Sequence, residues 1–155
     1  MGILTADMRR VLDEQQLGFV ATVDADGRPN LSPKGTTTAW DDDHIVFADI
    51  CSPQTVANLR ANPAVEINVV DPIVRKGYRF KGVAEVIGPG PRFDEIDAFY
   101  RQRGSTNPFQ HVVLVRVDVA APLWSPAYDQ GRTEAEVAAF WEGKRDALKA
   151  KREAR

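Results

Sequence analysis

The first third of the chain alternates between apolar residues at helical spacing and apolar residues at strand spacing. Met8, Val11 and Leu12 recur on one helical face, which predicts a helix that packs through that face. The segment 17–23 is apolar on both faces, as is typical of a strand that is covered on both sides. Residues 24–27 predict a hairpin turn, because aspartate and glycine adopt the backbone angles that such turns need. The pattern therefore begins with a helix and a β-hairpin.

The second strand of this hairpin, over 29–38, is predicted to carry a polar face. Side chains alternate along a strand, so one face is formed by Asn30, Ser32, Lys34, Thr36 and Thr38. Pro33 lies on the opposite face and has no amide hydrogen, which favours an edge position in the sheet. An edge strand leaves backbone groups free, so this strand is a candidate ligand-binding surface.

A short helix is predicted after the next strand, which runs over 44–49. Ser52 is a preferred N-cap residue, and Pro53 suits the first helical position. Gln54 and Thr55 then lie in the first turn, beside amide hydrogens without helical partners and at the positive end of the dipole. Such a turn suits an anion such as phosphate, although an ordinary capped helix has the same sequence pattern.

Three further strands are predicted over 64–70, 75–87 and 111–119, where apolar residues alternate with polar residues or form short runs. In the last of them one face is predicted to hold Val113, Val115, Val117 and Val119. Gly82 in the middle strand indicates a bulge or a close approach of two backbones. Together with the three earlier strands, these make six.

Two more helices are predicted in the last third of the chain. The first has an apolar stripe that is expected to face the core, formed by Phe93, Ile96, Phe99 and Tyr100. The segment 120–132 is expected to be an irregular loop, in which Trp124 and Tyr128 need cover from the barrel or from a second subunit. Residues 133–136 form a capping box that opens a last helix, and 149–155 are expected to be a solvated tail. The apolar stripe of this helix is Val137, Phe140, Trp141 and Leu148.

The composition favours a single domain over 1–155, because 43% of the 155 residues are hydrophobic and can form one core. The net charge of -2 gives no electrostatic reason to expect nucleic acid or an acidic membrane as a partner. Cys51 is the one cysteine, and the histidines His44 and His111 form no clustered metal-ligand pattern, so no metal site is expected. No apolar run reaches the length of a membrane span and no signal peptide is apparent, which predicts a soluble cytoplasmic protein.

The order of these elements resembles the FMN-binding split barrel of the pyridoxamine 5′-phosphate oxidase-like family. The resemblance rests on the segments 17–23, 26–29, 32–35, 54–63 and 80–86. It implies a mainly β (α+β) fold, a six-stranded antiparallel split β-barrel with short peripheral helices. It also implies a homodimer whose two cofactor sites lie at the subunit interface.

The cofactor implied by the resemblance is FMN, held by the polar second strand and by the start of the short helix. The implied cofactor-binding residues are Ser32, Lys34, Gln54, Thr55, Asn58, Lys81 and Trp124. The two strand residues would line the ring or the ribityl chain, and the three residues of the short helix would hold phosphate. The first turn of that helix lacks a basic residue, so phosphate binding would also depend on backbone amides and on Lys34 or Lys81. Trp124 would lie over the cleft of a second subunit.

Several functions are compatible with this resemblance. An FMN-dependent oxidoreductase would act on an unknown small molecule, with Lys34 stabilising negative charge on reduced flavin and with no catalytic residue assigned. A non-catalytic flavin-binding or electron-carrier protein is the alternative, and a structural dimer with an empty cleft is a third. Related barrels bind a deazaflavin or haem. A haem would need an axial ligand, for which His44 and His111 are the candidates. The chain is too short for the C-terminal substrate-binding segment of true pyridoxamine phosphate oxidases, so a vitamin B6 oxidase is not expected.

Overall fold

The computed structural model describes residues 2–155, and these form one seven-stranded sheet with five helices. The strands are β1 Gly18–Val23, β2 Pro29–Lys34, β3 Thr38–Ala39, β4 His44–Asp49, β5 Ala64–Asp71, β6 Lys76–Ile87 and β7 His111–Trp124. The helices are α1 Ala6–Gln15, α2 Pro53–Ala61, α3 Pro91–Gln102, α4 Pro126–Asp129 and α5 Glu134–Glu153. The strand order is β2-β1-β5-β6-β7-β4-β3, and each neighbouring pair is antiparallel. The predicted α+β split barrel is confirmed, but the predicted number of six strands is wrong.

The additional strand arises because the segment predicted as one strand over 29–38 is two strands at opposite edges of the sheet. β2 ends at Lys34, whose carbonyl accepts hydrogen bonds from the Thr37 amide at 3.3 Å and the Thr37 hydroxyl at 2.9 Å. The chain then enters β3, which pairs with β4 at the other edge. Lys34 and Thr38 are four residues apart and therefore at most about 14 Å apart. The two edges consequently lie close together, and the sheet curls into a barrel that is split between β2 and β3.

The core has two parts, which lie on the two faces of the β4–β7 wall. The barrel interior is filled by fully buried side chains such as Val20, Phe47, Ile67, Phe80 and Val113. On the outer side of the wall α3 packs its aromatic stripe, as predicted, in a second cluster that includes Val46, Ile96, Tyr100, Val112 and Leu114. A strand pair buried on both faces gives the rigid base on which the segment 49–52 and α2 are built.

A bulge between β6 and β7 changes which side chains of β7 face the core. The register moves between Lys81, opposite Val119, and Gly82, opposite Val117, so Asp118 is an extra residue. A Cβ atom at Gly82 would lie 2.0 Å from the Arg116 carbonyl oxygen, which explains the glycine. Because an extra residue reverses the alternation, Val119 is 51% exposed, and the prediction that it shares a face with Val117 is wrong.

Beyond the bulge β7 continues to Trp124, so the predicted irregular segment 120–132 is wrong over its first five residues. Pro122 is tolerated here because β4 pairs only with residues 111–116 of β7, which leaves the outer side of the extension as an edge. The short helix α4 then connects β7 to α5.

The last helix begins at the predicted capping box, in which the Thr133 and Glu136 side chains each bond the other's backbone amide. Only the beginning of its predicted apolar stripe packs on the barrel. Val137 is 3% exposed and Trp141 lies 3.5 Å below the Arg75 guanidinium, whereas Phe140 and Leu148 are about half exposed. α5 also extends through Glu153, into the predicted tail. Among residues 2–155, no helix is both long enough and apolar enough to cross a membrane.

Candidate functional site

The centre of the candidate site is Lys34, the last residue of β2. Its side chain is almost buried, with the residue 6% exposed, and its ammonium donates hydrogen bonds to the hydroxyls of Ser32 at 2.6 Å and Ser52 at 2.5 Å. Burial lowers the pKa of Lys34 from its ordinary value, and the nearby carboxylate of Asp49 partly opposes that shift. An ammonium has three donors, and the two hydroxyls use two of them without neutralising the charge. This arrangement suits an anionic ligand.

The start of α2 adds amide hydrogens to the same place. Ser52 occupies the predicted N-cap position, but its hydroxyl makes no capping bond and instead accepts from Lys34. The Ser52 amide is held by the Asp49 carboxylate at 2.7 Å. Because no side chain caps the first turn of α2, its amide hydrogens and the positive end of its dipole are available to a ligand anion.

A cleft of about 380 Å³ opens beside Lys34, and we call it the Lys34 cleft. Its lining includes Lys34, Gly35, Thr36, Ile50, Cys51 and Ser52. Gly35 leaves the floor open, because a Cβ atom there would meet only the Gln16 carbonyl oxygen, at 3.8 Å. Gly35, Thr36 and Asn107 also line a second, polar cavity of about 270 Å³, to which Arg103 and Ser105 belong. The two cavities therefore adjoin and offer room for two ligands, or for two parts of one.

The predicted phosphate residues of α2 lie beside this cleft but do not line it. Thr55 and Asn58 are buried against the barrel, at 2% and 3% exposure. The Gln54 amide donates to Asn58 at 2.7 Å, and the Asn58 amide donates to the Thr22 hydroxyl at 3.0 Å. These side chains tie α2 to β1 and so fix where the helix begins.

Lys81 and Trp124 lie in other parts of the molecule. Lys81 is on the outer face of the sheet, 3.6 Å from a Glu66 oxygen, and is exposed. Trp124 is 52% exposed, donates to Asp129 at 3.0 Å, and lines a cavity of about 550 Å³ together with Tyr78 and others. Of the predicted cofactor residues, the structure therefore brings Ser32 and Lys34 together and places Lys81 and Trp124 apart from them.

Sequence reasoning missed Asp49 near the cleft, and it considered His111 only as a candidate haem ligand. Asp49 is 2% exposed, and its second carboxylate oxygen lies 3.0 Å from Nδ1 of His111. The other ring nitrogen of His111 lies 3.1 Å from the Arg60 guanidinium, in the last turn of α2. Asp49 had a signal in the sequence, because it is a charged residue at the end of an apolar strand, three positions before the start of a helix. Its contact with His111 had none, because His111 lies in a strand 62 residues away.

Comparison with known proteins places the chain within a family. The family model described as pyridoxamine 5′-phosphate oxidase matches residues 4–140. HupZ from Group A Streptococcus is 32% identical, with a TM-score of 0.71 over 79% of this chain and 96% of that one. An FMN-binding protein from Syntrophomonas wolfei shares the fold at 20% identity, with a TM-score of 0.65 over 77% of this chain and 85% of that one. An F420 reductase shares it at 23% identity, with a TM-score of 0.57 over 76% of this chain and 98% of that one. None of the curated proteins compared with the chain matches it.

Proposed function

Because the chain belongs to the pyridoxamine 5′-phosphate oxidase family, we propose that it binds FMN in the Lys34 cleft and acts as an FMN-dependent oxidoreductase on a small molecule. The observation that carries this proposal is the buried Lys34 ammonium, held by two neutral hydroxyls next to the uncapped first turn of α2. The FMN-binding protein from Syntrophomonas wolfei shares this fold.

The residues of the cleft fit the chemistry of FMN. Its phosphate is a dianion, and the cleft offers one cation, a remaining ammonium donor and backbone amides. The open floor at Gly35 leaves space for the ribityl chain or ring to pass towards the adjoining polar cavity. Of the residues predicted to bind the cofactor, Lys34 lines the cleft and would contribute directly, and Ser32 would contribute by holding the Lys34 ammonium.

FMN supplies the redox chemistry when it is bound, so the chain has to supply binding, orientation and electrostatics. Lys34 places a positive charge in a largely buried site, where its interaction with an anion is stronger than in water. Arg103, Ser105 and Asn107 in the adjoining cavity offer hydrogen-bond donors and acceptors to a polar substrate. Arg103 makes one side-chain hydrogen bond, of 3.2 Å to Asp13, which leaves further guanidinium donors for such a substrate.

We also propose that a second copy of the chain covers the outer face of the sheet. The β-strand register puts Phe19, Leu31, Lys81 and Val119 on this one face, and the three apolar side chains are between 42% and 65% exposed. Exposed apolar side chains gathered on one sheet face are typical of an interaction surface. A twofold contact through this face would bring Lys81 of one subunit towards the Lys34 cleft of the other, whereas Trp124 lies opposite Lys76 on the other face of the sheet. Cys51 is exposed and unpaired, and we propose the reducing cytoplasm as its compartment.

The first experiment is a visible spectrum of the purified protein, followed by titration of the apoprotein with FMN, read by quenching of flavin fluorescence. Coenzyme F420 and haem are titrated in parallel. We expect saturable FMN binding at micromolar concentration or below. Tighter binding of F420 or haem, with no saturable FMN binding, would overturn the cofactor assignment.

Anaerobic mixing of the loaded protein with NADH or NADPH then distinguishes an oxidoreductase from an electron carrier. An oxidoreductase is expected to bleach the flavin band and to pass electrons to a small-molecule acceptor with repeated turnover. Bleaching only by a protein donor would indicate a carrier.

Sedimentation equilibrium tests the dimer, since a monomer mass at micromolar concentration with flavin bound would exclude the second copy.

A further inference from the structure

One imidazole connects the two ends of α2. Nδ1 of His111 faces the buried Asp49 carboxylate at 3.0 Å, and Nε2 faces the Arg60 guanidinium at 3.1 Å. Asp49 can only accept and Arg60 can only donate, so the neutral ring carries its proton on Nδ1 and accepts at Nε2. Asp49 holds the amide of Ser52, before the first turn of α2, and Arg60 lies in its last turn.

The Asp49 carboxylate in turn fixes the geometry around Lys34. One of its oxygens accepts from the Ser52 amide at 2.7 Å, and the Ser52 hydroxyl accepts from the Lys34 ammonium at 2.5 Å. Asp49 also lies directly opposite His111 in the β4–β7 register, and its carbonyl accepts from the Gln110 amide at 2.9 Å. Without the imidazole, one oxygen of a nearly buried carboxylate would lose its partner, and Asp49 would turn towards water or towards Lys34.

We propose that His111 is a positioning residue for the Lys34 cleft: by holding Asp49, it keeps the Ser52 amide and hydroxyl where Lys34 and a ligand phosphate meet them. This inference rests on the proposed binding of FMN in that cleft. His111 does not line the cleft, so it acts through Asp49 and not by touching the ligand.

The protein contains its own matched control for this proposal. His44 is also bonded to an aspartate, with Nδ1 2.8 Å from an Asp41 oxygen, and it lies at the opposite end of the same β4–β7 pair. A His44→Ala variant therefore removes a histidine–aspartate contact five residues before Asp49 along β4, where the aspartate is more exposed than Asp49. His111→Asn is the conservative variant, because its side-chain amide can donate to Asp49 in place of Nδ1.

The test measures the dissociation constant of FMN for the wild type and these variants, with melting temperatures recorded by circular dichroism. We expect His111→Ala to bind FMN about tenfold more weakly, the scale expected for loss of a charge-assisted hydrogen bond. His111→Asn should stay within about threefold of the wild type, and His44→Ala should bind FMN as the wild type does.

A second measurement does not depend on FMN. Acetylation of Lys34 by acetic anhydride, followed by peptide mass spectrometry, reports how well the Ser52 side chain and the cleft cover its ammonium. We expect Lys34 to react several-fold faster in His111→Ala than in the wild type, about as fast as the wild type in His111→Asn, and unchanged in His44→Ala.

Each outcome decides the proposal. Equal FMN affinity and equal Lys34 reactivity in His111→Ala and the wild type would overturn it. Equal losses in His111→Ala and His111→Asn would assign His111 a role other than holding Asp49, and equal losses in His111→Ala and His44→Ala would show general destabilisation. If the wild type does not bind FMN, the proposed function fails, and the Lys34 reactivity still decides whether His111 positions the cleft.

Discussion

The Lys34 cleft and the cavity beside Trp124 differ in how their charges are paired. The Trp124 cavity is larger, about 550 Å³ against about 380 Å³. Its charged groups bond each other, as Lys76 does with Glu134 at 2.8 Å and Arg10 with Asp7 at 2.7 Å. In the Lys34 cleft a nearly buried ammonium has only neutral hydroxyls as hydrogen-bond partners.

This difference shows that the availability of a charge, and not the size of a cavity, identifies the candidate site. An anion that enters the Lys34 cleft gains a cation without breaking an ion pair. An anion that enters the Trp124 cavity has to compete with a carboxylate for each cation, so little binding free energy is left. The two regions can therefore be told apart by substituting one lysine in each.

The largest effect on ligand binding is expected from Lys34→Met. Removing the cation should weaken FMN binding by about 1.5 to 3 kcal/mol, the range for a hydrogen bond to a charged group. The fold should persist, because removing a nearly buried charge also removes its desolvation cost. The measurement is fluorescence titration with FMN, supported by a circular dichroism melt.

Lys76→Met is the control in the other cavity. Lys76 is exposed and pairs with Glu134, so this variant should bind FMN with unchanged affinity. Equal losses in the two variants would mean that the two lysines contribute to one site, or that neither contacts the ligand.

Gly82→Ala is expected to destabilise the fold. It should disturb the structure around the Trp124 cavity more than the structure around the Lys34 cleft. The new methyl group would overlap the Arg116 carbonyl oxygen at the bulge from which the β7 extension to Trp124 starts. We expect a loss of about 1 to 3 kcal/mol in the free energy of unfolding, measured by urea denaturation. Gly143→Ala in α5, where nothing lies within 4 Å of the added Cβ, should instead stabilise by up to about 1 kcal/mol.

The Lys34 charge should also give the cleft its own pH dependence. Burial lowers the pKa of Lys34 below its ordinary value of 10.5. Lys34 should therefore lose its positive charge at a lower pH than an exposed lysine does, and FMN affinity should fall as that charge is lost. Between the lowered pKa and 10.5 the unfolded chain binds more protons at this residue than the folded chain does. The contribution of Lys34 to stability should therefore rise with pH where affinity falls. The difference between wild type and Lys34→Met in both measurements isolates this residue, and an affinity difference that does not change with pH would contradict the assignment.

The smallest effect is expected from Trp124→Ala. If the Trp124 cavity faces the cleft of a second subunit, loss of the ring should weaken FMN binding about threefold, the scale of one stacking contact. A fall in melting temperature with unchanged FMN affinity would show that Trp124 only packs within its own subunit. That result would separate the two regions completely.

Much of the fold could be predicted because most strands follow a local pattern. The alternation of β5 places Val65, Ile67 and Val69 inside, and they are buried. The failures at Thr38 and Val119 have a different origin, since a tight turn and a bulge interrupt the alternation while the residue types continue it.

The site was predictable to the extent that it depends on one strand. Ser32 and Lys34 are two residues apart, so the period of a strand already puts them on one face. The contact between Asp49 and His111 depends on the pairing of β4 with β7, which single-sequence patterns do not specify. The proposed second copy on the outer face of the sheet likewise lies outside what single-sequence patterns specify.

Cys51 makes the Lys34 cleft open to direct observation by thiol chemistry. It is the single cysteine of the chain, it is exposed, and it lines the cleft next to Ser52. A maleimide dye would therefore attach to one defined atom per chain, at the entrance of the cleft. Fluorescence from that dye would report arrival and departure of a ligand in real time.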